Sequence, residues 1–249
     1  MSWTLITGAS SGIGEACAEI LATQHKLWLV ARRGDRLKTL CEKLRHQGAE
    51  ITFSVLDIRS NEAVAQFAKQ EQERLSQVHN LINNAGLARG VNALQSGRLA
   101  DWQEMIETNV MGLLRMTQLV LPQMCERKKG HIVNIGSVAG RWGYPGGNVY
   151  SATKSAVHML TQSMRLDVLG TGIRVSEISP GMVETEFSEV RLQDRTRAKA
   201  LYAGMNPLTA KDIAEAVAWC LNRPEHVNIQ ELVIYPTDQA APGHVHRRP

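Results

Sequence analysis

The sequence predicts a doubly wound α/β domain: one parallel sheet, buried on both faces, with helices on either side. Three observations carry this. Short apolar runs of strand length alternate with helix-period segments nearly to the last residue. Each run leads into a helical stretch rather than a two-residue hairpin turn, as parallel strands joined by crossovers require. The runs are also rich in apolar residues, as suits strands covered on both faces.

Residues 3–7 (WTLIT) form the first run and pass directly into glycines. Runs at 26–31, 51–57, 78–83, 131–137, 174–179 and 231–235 supply the remaining strands. Helical stretches lie between them at 12–24, 34–47, 61–75, 101–127, 150–169, 188–203 and 210–222. Right-handed crossovers then wind the sheet in both directions from its middle. No linker, repeat or low-complexity tract interrupts the alternation, so residues 1–249 are read as a single domain.

Bulk properties narrow the function. The chain has 249 residues, 43% hydrophobic and 21% charged, which is ordinary globular material with ample core. Its net charge of +4 is no nucleic-acid footprint: the basic residues are spread out, with small clusters only at Arg32-Arg33, Arg127-Lys128-Lys129 and Arg247-Arg248, and no aromatic-interleaved basic face. A modest positive field suits a polyanionic cofactor instead. Cys17, Cys41, Cys125 and Cys220 are scattered without a C-x-x-C pair and read as buried free thiols. With a strand starting at residue 3 and no run long enough to span a bilayer, the expected location is cytoplasmic. His244-x-His246 offers two ligands without a third, so no metal is expected.

In open α/β sheets, ligands bind beyond the carboxyl ends of the strands. Six features fall there. They are Gly8 to Gly14 (G-A-S-S-G-I-G), Arg32-Arg33, Asp57-Ile58, Asn83-Asn84-Ala85-Gly86, Ser137 and Pro180-Gly181. Glycines let bare backbone approach a phosphate, and the unpaired N–H groups opening the next helix meet its charge. Tyr150 and Lys154 are four residues apart on a helix and so share a face. A free tyrosine, with a pKa of about 10, is a poor base at neutral pH. A fixed cation beside it favours the phenolate, which makes the pair a candidate proton donor and acceptor for alcohol/carbonyl interconversion. The Ser137 hydroxyl can hydrogen-bond an oxygen on which charge develops. Asn109, on the helix from 101, is either a satisfied interior amide or the holder of a water linking Lys154 to solvent.

The ordered set Thr7-Gly8-Ala9-Ser10-Ser11-Gly12-Ile13-Gly14, Asn83-Asn84-Ala85-Gly86, Asn109, Ser137, Tyr150, Lys154 and Pro180-Gly181 resembles the signature of the short-chain dehydrogenase/reductase family over essentially the whole chain. The resemblance implies a Rossmann-type fold and hydride transfer to or from nicotinamide. Tyr150 would act as acid/base, with Lys154 lowering its pKa and holding the nicotinamide ribose. Ser137 would polarise the carbonyl, and Asn109 would keep a proton relay in place. Asn84, Ala85 and Gly86 would pack beside the cofactor, Pro180, Gly181, Val183 and Thr185 would flank the nicotinamide, and Asp57-Ile58 would contact adenine. Ser10, Ser11, Gly12, Ile13 and Gly14 would surround the pyrophosphate.

The end of the second strand separates NAD from NADP. An acidic residue there serves a ribose 2′-hydroxyl and repels a 2′-phosphate. This chain carries Ala31, then Arg32 and Arg33, two guanidiniums suited to phosphate. NADP is the expected cofactor. Further segments, Asn84 to Ala88, Gly147 to Tyr150, Glu184 to Arg191, Pro224 to Ile229 and the tail near His244, resemble the branch of NADP-dependent 3-hydroxy acid dehydrogenases acting on serine or L-allo-threonine. That branch implies a short 3-hydroxy acid or the matching carbonyl as substrate. Its carboxylate needs a cation, and Arg191 is the chosen candidate over Arg89 and Arg141. A lid is expected near 182–205 and a C-terminal tail at 237–249.

Two enzyme alternatives stand beside this: a broad NADPH carbonyl reductase, and a 3-oxoacyl-carrier reductase. The second usually has a glycine-rich ending after its last strand, where this chain reads Tyr235-Pro236-Thr237-Asp238-Gln239. A rival of another class is a nucleotide-binding regulator without activity, against which the presence of Ser137, Tyr150 and Lys154 counts. Helices 101–127 and 150–169 carry Val110, Leu113, Leu114, Val157, Met159 and Leu160 on more than one face, which calls for a second burial surface. The resemblance implies a homotetramer, or at least a homodimer.

Overall fold

In the computed structural model, which describes residues 2–248, the first apolar run is strand β1 (Trp3–Thr7), followed by helix α1 (Gly12–Leu21), β2 (Lys26–Ala31), α2 (Gly34–His46) and β3 (Ile51–Val55). Two short helices, α3 (Asn61–Gln70) and α4 (Gln72–Ser76), lead to β4 (Val78–Asn83). Then come α5 (Leu99–Ile106), a π-helical turn at Glu107–Gly112, α6 (Leu113–Glu126), β5 (Gly130–Ile135), α7 (Asn148–Asp167) and β6 (Ile173–Pro180). The last third holds β7 (Val183–Glu184), α8 (Phe187–Leu192), α9 (Arg195–Ala200), β8 (Leu208–Thr209), α10 (Ala210–Leu221), β9 (Glu231–Ile234) and the hairpin β10 (Gln239–Ala241) and β11 (His244–Val245).

Seven strands make one parallel sheet in the order β3-β2-β1-β4-β5-β6-β9. This is the predicted doubly wound architecture. Alternate side chains of each strand serve opposite layers. Leu27, Leu29 and Ala31 join Cys17, Leu21, Leu37 and Val217 in the layer of α1, α2 and α10. Trp28 and Val30 turn the other way, to Phe67, Met116, Val120 and Val157 of α3, α6 and α7. Trp28 is fully buried, with its indole N–H donating to Ser54 Oγ at 3.0 Å and its ring 5.1 Å from that of Phe67.

The differences from the sequence expectations are local. The stretch 101–127 is α5, a π turn and α6 rather than one helix, and 188–203 divides at Gln193, whose φ of 52° ends α8. The helix expected at 61–75 breaks between Gln70 and Gln72. The strand expected at 51–57 stops at Val55, releasing Asp57 and Ile58 to the rim. All four cysteines lie on helices. Cys17, Cys41 and Cys220 are buried, with burial pushing their thiols up to about 12, 11 and 11, whereas Cys125 is only half-buried. Leu113 and Val157 face the core, while Met159 is exposed. No helix among the described residues is long and apolar enough to cross a membrane.

Leu81 is fully buried in the layer of α6 and α7. Leu81→Ala is expected to cost about 2–5 kcal/mol of unfolding free energy, because the rigid sheet cannot collapse into the space left. Urea unfolding checks this; a loss below about 0.5 kcal/mol contradicts the packing described.

Candidate active site

The crossovers diverge between β1 and β4, and there the two strand-end loops are joined. Thr7 Oγ1 accepts hydrogen bonds from the backbone N–H groups of Asn84 (3.1 Å) and Ala85 (3.0 Å). The Asn84 amide donates back to the carbonyls of Thr7 and Gly8 at 3.0 and 3.2 Å. Such close approach requires glycine. A Cβ on Gly14 would stand 2.5 Å from both the Asn84 amide nitrogen and the Gly8 carbonyl oxygen, and Gly8 itself has φ +65°. Helix α1 starts with no side-chain cap, so its first N–H groups open toward the cleft.

That cleft, about 330 Å³, runs from the glycine loop across the ends of β4, β5 and β6. Ser137 follows β5; its Oγ accepts from Ala139 N–H at 3.1 Å and has only a long contact, 3.5 Å, to the Pro180 carbonyl. The same hydroxyl is within hydrogen-bonding reach of the Tyr150 phenol. Tyr150 and Lys154 lie one turn apart on α7, as the spacing requires. The buried Lys154 ammonium donates to the Ile135 carbonyl at 2.8 Å and stands 6.0 Å from the centre of the Tyr150 ring. Burial lowers Lys154 to about 8, with Glu177 pulling it back up. Burial pushes Tyr150 up to about 12; the Ser137 hydroxyl and the Arg191 guanidinium oppose this, and Tyr144 adds to it. In the free protein desolvation dominates the phenol, and the cation that opposes it is Arg191.

Asn109 sits in the π-helical turn and is buried. Its amide donates to the Leu87 carbonyl (2.8 Å) and Thr153 Oγ1 (3.0 Å), and its oxygen accepts from Leu87 N–H (2.8 Å). One lone pair of Oδ1 is left over. A Cβ on Gly86 would lie 3.3 Å from that oxygen and 3.5 Å from Lys154 Nζ, so the absence of a side chain at Gly86 opens the space between them.

Comparison with known proteins places this arrangement. The family model described as short chain dehydrogenase matches residues 2–196. The chain belongs to the short-chain dehydrogenases. It is 44% identical to sulfoacetaldehyde reductase 2 of Chromohalobacter salexigens, over 95% of this chain and 94% of that one. It is 42% identical to the NADP-dependent 3-hydroxy acid dehydrogenase YdfG of Escherichia coli strain K12, over 98% of this chain and 99% of that one. Among solved structures, the closed form of serine dehydrogenase complexed with NADP+ superimposes with a TM-score of 0.92 at 41% identity, covering 99% of this chain and 100% of the other.

The cleft of this short-chain dehydrogenase brings together most of the residues expected from sequence. Gly8, Ser10, Ser11, Gly12, Ile13, Arg32, Arg33, Asp57, Ile58, Asn84, Ala85, Gly86, Pro180, Gly181, Val183 and Thr185 line it, along with Ser137, Tyr150 and Lys154. Gly14 lies just beneath, against Gly8 and Asn84. Arg32 is exposed, while Arg33 donates to Ser10 Oγ (3.1 Å), Ser11 Oγ (2.6 Å) and Glu186 (2.9 Å). Arg191 borders the neighbouring pocket rather than this cleft. It donates to the carbonyls of Gly90 and Gly146 and to the Tyr144 hydroxyl (2.9, 2.9 and 2.7 Å), with its guanidinium 5.7 Å from the Tyr150 ring centre. Four site residues escaped the sequence reading. Arg36 joins Arg33 on Glu186, Arg59 takes both oxygens of Asp57, Phe187 packs on Tyr150 with ring centres 5.6 Å apart, and Tyr144 holds Arg191. Tyr144 alone had a signal, an aromatic residue in the glycine-rich approach to Tyr150.

The phenol in the free protein is expected to stay protonated well above pH 10, because burial outweighs its neighbours. Subtracting the alkaline absorbance titration of Tyr150→Phe from that of the native protein should leave a phenolate signal near pH 12. A difference signal centred below pH 9 contradicts this electrostatic picture.

Proposed function

We propose that this short-chain dehydrogenase is an NADP-dependent oxidoreductase that interconverts the hydroxyl of a short 3-hydroxy acid, such as serine or L-allo-threonine, with its carbonyl. The observation that carries the reading is the meeting of Ser137, Tyr150 and Lys154 in the cleft that the glycine loop opens. The names of two relatives support the substrate class. A 3-hydroxy acid and sulfoacetaldehyde both set an acidic group close to the reacting carbon.

The residues fit the cofactor. Glycines leave backbone room for a pyrophosphate at the uncapped start of α1, and Arg32 and Arg33 stand where a 2′-phosphate would need them. Lys154 is placed to hold the ribose, and Pro180, Gly181, Val183 and Thr185 to flank the nicotinamide, which supplies or accepts the hydride. In reduction, the substrate oxygen accepts hydrogen bonds from Ser137 and Tyr150. As that oxygen gains charge, the phenol delivers its proton to the far more basic alkoxide. Lys154 and the spare lone pair of Asn109 form the route by which the proton is replaced. Arg191 and Tyr144 hold the acidic end of the substrate: three of five guanidinium N–H groups are spent within the protein, and two are left for an oxyanion.

Residues 182–205 act as a lid, with Thr185, Glu186, Phe187 and Val190 on the cleft side. The described part of the tail, 237–248, braces it: Gln239 Oε1 accepts from Met182 N–H (2.8 Å) and Arg248 N–H donates to the Gly204 carbonyl (2.7 Å). The assembly in this reading is a homotetramer in the cytoplasm, supported by exposed Ile106, Met111, Met159 and Leu166 along α5 to α7.

Steady-state rates with NADP(H) and NAD(H) on serine, L-allo-threonine, 3-hydroxypropionate, sulfoacetaldehyde and uncharged ketones test the substrate class. Arg191→Ala is expected to raise KM for the acids about tenfold or more, the scale of a lost charge-assisted pair, while sparing ketones. Equal efficiency on ketones and acids in the native enzyme favours a general carbonyl reductase instead.

A further inference from the structure

Behind the catalytic lysine lies a buried acid that nothing above employs. Glu177, 2% exposed in the middle of β6, is paired in register with Asn134 of β5 and Glu231 of β9. Both its oxygens are held. His158 Nδ1–H donates to Oε2 at 2.8 Å, and Ser179 Oγ–H donates to Oε1 at 2.5 Å. The Gln162 side-chain amide lies 2.8 Å from the other imidazole nitrogen, which sets the tautomer. His158 is one helical turn beyond Lys154, so Tyr150, Lys154, His158 and Gln162 form one stripe along α7.

The carboxylate is pressed against the end of β5. A Cβ on Gly136 would stand 2.0 Å from Glu177 Oε1, so only glycine admits the acid there. On one side of Gly136, the Ile135 carbonyl receives the Lys154 ammonium; on the other stands Ser137. Three consecutive residues thus carry the lysine's acceptor, the space for the acid and the catalytic hydroxyl. A buried ammonium needs a compensating charge. Glu177 is the acid whose field reaches Lys154.

The other charged groups around α7 are committed elsewhere. Arg141, after β5, pairs with Glu231, the third member of the His158, Glu177 and Glu231 cluster. Glu107 of the π turn pairs with Arg115, Glu104 of α5 with Arg59 and Arg89, and Asp101 lies 3.9 Å from Arg98. Arg174 of β6 points to carbonyls at the end of α10, and Arg191 lies over the Tyr150 ring. On α7 itself, Tyr150 and His158 share the stripe of Lys154, and Arg165 and Asp167 lie two to three turns further on at the far end of the helix.

We propose that Glu177, fixed by His158 and Ser179, is a positioning residue: its carboxylate is the counter-charge that holds the Lys154 ammonium at the end of β5. The inference rests on the role given to Lys154 above. Loss of Glu177's charge leaves the ammonium with neutral partners alone, so it gives up its proton at lower pH.

A double-mutant cycle with pH profiles of NADPH-dependent reduction tests this. Glu177→Gln should lower kcat roughly tenfold at pH 8 with little change in KM, and move the alkaline fall of activity down by about one pH unit. Glu177→Asp should restore most of both, and Glu231→Gln should leave the profile in place. In a Lys154→Met background, the effect of Glu177→Gln should vanish. An unmoved alkaline limb in folded Glu177→Gln, or a full effect in the absence of Lys154, overturns the proposal. Should Glu177→Gln fail to fold, His158→Ala takes its place, with a smaller shift in the same direction expected and none overturning it. If Lys154→Met alone leaves activity intact, the reading of the site fails rather than the role of Glu177.

Discussion

A buried ammonium seated on a backbone carbonyl is the constraint around which the rest of the site is arranged. Lys154 donates to Ile135 where β5 gives way to Ser137, so the lysine, the serine and the strand end are fixed relative to one another by one hydrogen bond of 2.8 Å. A charge-assisted bond of this kind is worth about 1.5–3 kcal/mol, against a desolvation cost large enough to bring the lysine down to about 8. Breaking the seat would leave an unsatisfied charge, so α7 cannot slide or rotate over the sheet. Tyr150, one turn earlier, inherits that position.

The second fixed point is the join between the loops after β1 and β4. Four hydrogen bonds, from Asn84 and Ala85 to Thr7 and Gly8, cross the place where the sheet's crossovers diverge. The glycine loop is therefore tied to the segment Asn84 to Gly86, and Gly86 in turn borders Asn109 and Lys154. The glycine loop and the Tyr150–Lys154 pair are thus two ends of one joined rim. The segment from Val183 to Ala200 meets this rim through Arg33 with Glu186 and Arg89 with the Val190 carbonyl. The Arg33–Glu186 ion pair is half-exposed and individually weak.

Most of this was legible in the chain because it is written in local chemistry. Strands 3–7, 26–31 and 78–83 have the predicted limits, since each is a largely apolar run of strand length followed by glycine, arginine or asparagine. The Tyr150 and Lys154 pair needed only helical spacing. What escaped depends on tertiary partners. The π turn at Glu107–Gly112 has no composition signal; it places Asn109 between Leu87 and Thr153, and those two bonds lie 22 and 44 residues away. The pairing of Arg33 and Arg36 with Glu186 spans about 150 residues. Nor could spacing reveal that burial, rather than the lysine, governs the phenol. That depends on how closely Phe187 and the loop at Tyr144 cover it.

One substitution reaches the centre of this account. Tyr150→Phe removes a single oxygen at a half-buried position and leaves the rings of Phe187 and Tyr150's neighbours in contact, so the protein should fold and bind NADPH as before. Its turnover of the best substrate, measured by NADPH absorbance at saturating substrate, is expected to fall by about 10²–10⁴, the usual contribution of a positioned proton donor. Turnover within a factor of two or three of the native enzyme would contradict the assignment of proton transfer to this phenol.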